Sequence, residues 1–215
     1  MNKNLTDLNL VIDCSGSMSS CKNAIDESVN SLISNQKNES GDCNLSIVEF
    51  DNTVKSVVEA ININYYIDQY NLSPRGSTAL LDAIGYTINS VGKRLNETEE
   101  SLRPGLVIVA IATDGYENSS KEFNGKIIKE MISHQESKYN WQFIYLGANQ
   151  DAFAVADELG INLSKVSNYN INKTDSAIDS TDQLIRRMRV ATAKGMSADN
   201  IVNMSYTDEE RDSMA

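Results

Sequence analysis

Leu8-Asn9-Leu10-Val11-Ile12-Asp13-Cys14-Ser15-Gly16-Ser17 is an apolar run that ends in a cluster of oxygen-bearing side chains. The run reads as a buried strand, and residues 18–35 after it read as a helix. Oxygen donors therefore gather where a strand hands over to a helix, the edge at which open α/β sheets bind ligands. Asp13, Ser15 and Ser17 can turn their oxygens toward one point, while Gly16 lets the backbone turn tightly. A carboxylate with hydroxyls, and no thiol or imidazole, suits a hard divalent cation such as Mg²⁺. The same residues also suit a helix cap, because Ser and Asp satisfy free backbone N–H groups at helix starts. The stretch alone leaves both readings open.

Working outward, strands and helices alternate. Residues 5–12 form the first strand, and Ile25, Val29, Leu32 and Ile33 give the helix after it one buried face. A polar turn at 36–41 leads to strands at 45–50 and 53–61. Asp51-Asn52 between them, at hairpin spacing, predicts an antiparallel pair. Residues 62–76 are polar and irregular, closed by Pro74 and Gly76. Thr78 stands where the next helix begins, with Leu81, Ile84, Ile88 and Val91 facing inward. Residues 106–112 are almost continuously apolar and β-branched, as expected of a central strand covered on both faces. That strand ends in Thr113-Asp114-Gly115.

An amphipathic helix follows at 121–133, with Ile127, Ile128, Met131 and Ile132 inward. Then come a strand at 141–146, a short helix at 151–159 capped by Gly160, and one more short strand within 161–169. Residues 182–193 read as the last helix, with Leu184, Ile185 and Met188 inward, in a C-terminal helical extension of about 175–195. Residues 196–215 are polar and are expected to form a flexible tail. The order predicts an α/β fold: a doubly wound, mostly parallel sheet with one antiparallel strand and helices on both faces, in a single domain over 1–195.

Composition narrows the function. The 215 residues can bury a full core, and 40% hydrophobic with 23% charged residues is ordinary for a globular protein. A formal net charge of -11 argues against nonspecific nucleic-acid binding and against anionic membrane surfaces. Residues 1–7 are polar and lack a signal-peptide design, and no apolar stretch is long enough to span a bilayer, so a cytoplasmic location is expected. Cys14, Cys21 and Cys43 show no Cys-x-x-Cys spacing, so reduced thiols are expected rather than a disulfide scaffold or a zinc site.

Asp13 and Asp114 both follow strands that read as central. If those strands are parallel, both carboxylates fall on one sheet edge, and Thr78 at its helix start can reach the same edge. Asp13-x-Ser15-x-Ser17, Gly76-Ser77-Thr78-Ala79-Leu80 with Asp82, and Thr113-Asp114-Gly115 together resemble the three-part metal-ion-dependent adhesion site of von Willebrand factor A domains. The parts occur in the family's order on the expected elements, and the resemblance covers roughly residues 5–168. Tyr145-Leu146-Gly147-Ala148-Asn149 resembles a phrase of stand-alone bacterial and phage members. The resemblance implies that Ser15, Ser17 and Thr78 coordinate Mg²⁺ (or Mn²⁺) through hydroxyls while Asp13 and Asp114 contribute charge. It implies an open position filled by an Asp or Glu of a partner protein, and a binding module rather than an enzyme.

Other residues carry less. His134, the only histidine, reads as an exposed residue near a helix end. No serine-hydrolase elbow and no glycine-rich phosphate loop is present. Asp82 reads as facing the site, as orienting one of its ligands from behind, or as serving the first turn of its helix. Asp51 reads as part of a turn signal, and Glu117 and Asn118 read as residues that flank the metal and shape partner choice or as turn residues. Arg186, Arg187 and Arg189 read as a solvated basic face, with a docking patch as the minority reading. Two rival functions stand: a Mg²⁺-dependent phosphoryl hydrolase using Asp13 as nucleophile, and a structural subunit whose metal only stabilises the fold. The hydrolase would want a carboxylate two residues after Asp13, where Ser15 stands.

Overall fold

A computed structural model describes residues 1–148 and 151–215. Asn149, the end of the phrase beginning at Tyr145, lies outside the described residues. The chain runs β1 (Asn2–Asp13), α1 (Lys22–Lys37), β2 (Asp42–Phe50), β3 (Val54–Asn62), α2 (Leu80–Glu97), β4 (Pro104–Thr113), α3 (Gly125–Tyr139), β5 (Gln142–Ala148), α4 (Ala152–Leu159), β6 (Val166–Tyr169), α5 (Thr174–Ala193), α6 (Ala198–Val202) and α7 (Asp208–Met214).

These strands form one six-stranded sheet in the order β3-β2-β1-β4-β5-β6. β1 pairs in parallel with β2 and β4, β5 with β4 and β6, and only β3 runs antiparallel, against β2. The expected mixed, doubly wound sheet is the one observed. β1 leads to β2 on one side and has β4 on the other, so the order reverses between β1 and β4. That switch point opens a crevice beyond the strands' C-terminal ends.

Alternation along β1 splits the core. Leu8, Leu10 and Ile12 enter one buried cluster with Ile25, Val29 and Leu32 of α1 and Leu184, Ile185 and Met188 of α5. Val11 enters the other, with Ile84 and Ile88 of α2, Ile128 and Ile132 of α3, and Ala156 of α4. Each central strand is thus covered on both faces, which is why residues 106–112 carry no polar alternation.

Several boundaries differ from expectation, each for a local reason. The first α-helix starts at Lys22, because Gly16–Ser20 form a separate 3-10 turn. α3 starts at Gly125, where Asn124 Oδ1 accepts a hydrogen bond from the Ile127 N–H. Ile127 itself is 40% exposed, not inward. α5 begins at Thr174, eight residues before the apolar pattern announces it, because its first turns bury Thr174, Ser180, Thr181 and Asp182.

The largest correction concerns residues 196–215. The expected flexible tail folds into α6 and α7 and buries Ile201, Tyr206 and Met214. α7 has a capping box between Thr207 and Glu210. Arg187 clamps it by pairing both nitrogens with Glu210, at 2.6 and 2.9 Å. Arg211 reaches the Val166 and Ser164 carbonyls beside the edge strand β6. The arginines therefore do not share one solvated face: Arg186 is exposed, Arg187 is half-buried and Arg189 is buried. Arg189 is buried and donates to the Gln36 and Gly41 carbonyls, and Arg186 pairs with Glu39. Among the described residues no helix is long and apolar enough to cross a membrane.

Candidate functional site

Asp13 ends β1 completely buried. Its Oδ1 accepts a 2.7 Å bond from the Ser15 N–H, which bends the chain sharply after the strand. Its Oδ2 accepts a 2.6 Å bond from the Thr113 hydroxyl at the end of β4. Both carboxylate oxygens are thus fixed, one by its own loop and one by the neighbouring strand. Thr113 is a site residue to which the sequence alone assigns no role. Its signal was its place beside Asp114 at the end of the strand next to β1.

The helix-cap reading of the first loop is not what the structure shows. Ser15 is the residue before the 3-10 turn, yet its side chain makes no cap bond. Its hydroxyl lies 3.0 Å from the Ser17 hydroxyl instead. Ser17 Oγ in turn donates a 2.6 Å bond to Asp114 Oδ1. Both hydroxyls are spent on the crevice rather than on the helix.

The second loop is stitched to the first through the backbone. Arg75 N–H donates to the Cys14 carbonyl, Gly16 N–H to the Gly76 carbonyl, and Ala79 N–H to the Asp51 carbonyl. Gly76 must be glycine: its φ is +68°, and a Cβ there would lie 2.4 Å from Asn52 Oδ1. This stitching delivers Thr78, itself buried, to the crevice. A Cβ built on Gly115 would lie 3.0 Å from Thr78 Oγ1, 3.7 Å from Ser17 Oγ and 3.8 Å from Asp13 Oδ2. Oxygens from the first and second loops therefore meet Gly115 of the third around one small space that only a glycine leaves open. The five residues singled out in the sequence are all brought together here, with Asp13, Ser15 and Thr78 buried and Ser17 facing solvent.

Electrostatics match a site that wants positive charge. Burial raises the Asp13 carboxyl above its ordinary range, and the bonds from Thr113 and Ser15 only partly pull it back. Burial also raises Asp114, against the bond from Ser17. A cation in the space would favour both ionised forms. Cys14 does not compete as a ligand: burial pushes its thiol up to about 12, and only a thiolate binds metal. No group of three or more His, Cys, Asp or Glu among the described residues is placed to hold a metal. Any cation here would draw most of its protein ligands from hydroxyls. Two carboxylates and three hydroxyls around a confined space fit a hard cation that keeps some waters.

The flanking residues resolve as supports. Asp82 does not face the crevice; its carboxylate accepts the N–H groups of Lys121, Glu122 and Phe123. Asp51 pairs with Arg75 at 2.8 Å and caps the β2–β3 turn at Thr53. Asn118 Oδ1 accepts from the Thr78 N–H. Glu117 accepts from the N–H groups of Leu81, Ser119 and Ser120. His134 lies exposed on α3, away from these loops. The three cysteines are free and buried.

No family model matches the chain, and no curated protein does. Solved structures do. Proximal thread matrix protein 1 from the mussel byssus, determined with zinc in its MIDAS motif, superposes with a TM-score of 0.59 at 16% identity over 84% of this chain. This chain spans only 46% of that one. A von Willebrand factor type A protein from Catenulispora acidiphila gives 0.54 at 14% identity, covering 87% of this chain and 42% of its own. The vWF domain of the type V pili tip protein Mfa5 from Porphyromonas gingivalis gives 0.57 at 10% identity, covering 85% and 95%. At such identities the likeness is one of fold, and the fold is the α/β sheet of von Willebrand factor A domains.

Proposed function

We propose that the chain is a divalent-metal-dependent protein-binding module. Asp13, Ser15, Ser17, Thr78 and Asp114 would hold Mg²⁺ or Mn²⁺, and a partner protein would supply an Asp or Glu carboxylate to the remaining position. The observation that carries this reading is the convergence of Thr78, Ser17 and Asp13 oxygens on the space beside Gly115. The zinc-containing MIDAS of a protein with the same fold supports it.

The charge count explains why the site would bind rather than hydrolyse. When bound, the cation would offer Lewis acidity toward an incoming carboxylate. Two aspartates balance its charge, and three neutral hydroxyls add none, so an acidic side chain meets no excess negative charge. Thr113 and the Ser15 N–H hold Asp13 in place as a fixed acceptor. Ser15 stands where a phosphoryl hydrolase of similar sheet architecture would need a second acid–base carboxylate, so no catalytic residue is assigned.

Titration calorimetry with Mg²⁺ tests the reading. Wild type is expected to bind with one site, and Asp13→Ala combined with Thr78→Ala to lose that binding. Equal heats from both proteins would sink it. A second arm adds acetate or a short acidic peptide to the loaded protein, which is expected to bind only when metal is present.

A further inference from the structure

The N-terminus of α2 carries no cap of its own, since Ala79 offers no side-chain acceptor. The loop after β4 supplies the acceptors instead. Asn118 Oδ1 takes the Thr78 N–H at 3.0 Å, Glu117 Oε2 takes the Leu81 N–H at 3.0 Å, and Ser120 Oγ takes the Asp82 N–H at 3.1 Å. The favour is returned. Thr78 C=O accepts from the Asn118 and Ser119 N–H groups at 3.1 and 3.2 Å. The Asp82 carboxylate accepts the N–H groups of Lys121, Glu122 and Phe123 at 2.8 to 2.9 Å. Glu117 Oε1 holds the loop's own Ser119 and Ser120 N–H groups, at 2.8 Å each.

Two segments about forty residues apart thus cap each other. The result bears on the crevice because of where the grip falls. Thr78 is held at both its N–H and its C=O by Asn118, while its hydroxyl faces the space beside Gly115, three residues earlier in the same loop. One loop therefore carries Asp114 at its start and fixes Thr78 from its middle.

We infer that Asn118 is a positioning residue for the divalent site: it sets the Thr78 hydroxyl against Gly115, with Glu117 and Asp82 stiffening the loop that carries it. The inference rests on reading the crevice as a cation site and says how the donor set is assembled before a cation arrives. A site whose ligands are already ordered binds more tightly, because the ordering is not charged against binding. Groups that orient metal ligands from behind typically change affinity by about 10- to 100-fold when removed.

The test uses the full chain and Mn²⁺ alone, followed by electron paramagnetic resonance of the free ion. Asn118→Leu keeps the branched shape and removes the acceptor; Asn118→Asp keeps an acceptor at the same reach. Asn118→Leu is expected to weaken Mn²⁺ by about tenfold or more, and Asn118→Asp to restore most of the affinity. Measured well below the melting transition, a general loss of stability leaves the affinity of the folded population unchanged. A plain capping role would therefore not move this readout. Should Asn118→Leu fail to fold, Asn118→Ser, too short to reach the Thr78 N–H, gives the same comparison. In EDTA the Thr78 amide is expected to exchange slowly in wild type and quickly in Asn118→Ser.

Equal Mn²⁺ affinity in wild type and Asn118→Leu overturns the positioning role and leaves the cation reading standing. So does an Asn118→Asp variant as weak as Asn118→Leu. Absence of Mn²⁺ binding by wild type overturns both.

Discussion

Ser17 Oγ donates a 2.6 Å hydrogen bond to Asp114 Oδ1, closing the first loop onto the third across 97 residues of sequence. A hydroxyl-to-carboxylate bond of this length is a strong one, because one partner is charged. Both atoms belong to the proposed donor set, and each satisfies the other. The bond holds the two walls of the crevice together beside Gly115.

Gly115→Ala is the sharpest probe of that crevice. Gly115 does not sit in the left-handed region, so alanine is compatible with its backbone. The added methyl would lie 3.0 Å from Thr78 Oγ1, inside the space where the cation is proposed. The expected outcome is a loss of Mg²⁺ or Mn²⁺ affinity on the order of tenfold or more with far-UV circular dichroism unchanged. Unaltered affinity by calorimetry would place the cation elsewhere.

Met214→Ala probes the packed C-terminal segment. Met214 is 1% exposed, its thioether accepts from Ser167 Oγ at 3.1 Å, and its carbonyl accepts from the Asn170 N–H. Truncating a buried methionine typically costs about 2 to 5 kcal/mol, and the lower end is expected for a site at the periphery of the core. Urea denaturation measures the loss. Limited proteolysis should cut within 196–215 in the variant and spare that segment in wild type.

Lys165 predicts a pH dependence. It is 1% exposed, and its ammonium donates to the Val202 carbonyl at the end of α6. Burial lowers its pKa below 10.5, partly countered by Glu136. Between that lowered value and 10.5 the unfolded chain binds more protons than the folded one, so this residue's contribution to stability rises with pH. The penalty for burying the charge is complete below the lowered folded value and vanishes above 10.5. Melting curves of wild type and Lys165→Met are expected to move in wild type's favour as pH climbs through this window. A difference that stays flat with pH would contradict the assignment.

Much of the site was legible because it is written in short-range signals. Asp13 and Asp114 each close an apolar run that reads as a covered strand, and Thr78 stands two residues before a helix with a clear apolar face. The supports were not legible. Thr113, Asn118 and Glu117 act on partners 36 to 100 residues away, and nothing in their local sequence marks those partners. Residues 196–215 misled for a related reason. Ile201, Tyr206 and Met214 are too sparse to form a periodic pattern, yet they bury because α5 and β6 leave a surface uncovered. The arginines on α5 read as solvated because charge usually is. Arg189 is buried because the Gln36 and Gly41 carbonyls need a donor there.

By itself the sequence determined the order of strands and helices as far as residue 193, the single antiparallel strand, and which oxygens stand at strand ends. Those properties follow from hydrophobic period, backbone propensity and turn chemistry, all acting within about one turn or one hairpin. Only the tertiary structure decided that the oxygens meet. The parallel register that sets Leu10 against Ala110 and Ile12 against Ala112 brings Asp13 level with Thr113 and Asp114. The loop after β4 then grips Thr78 and draws it to Gly115. Convergence of ligands is a matter of distance between segments far apart in the chain, and sheet register and loop-to-loop hydrogen bonds set that distance.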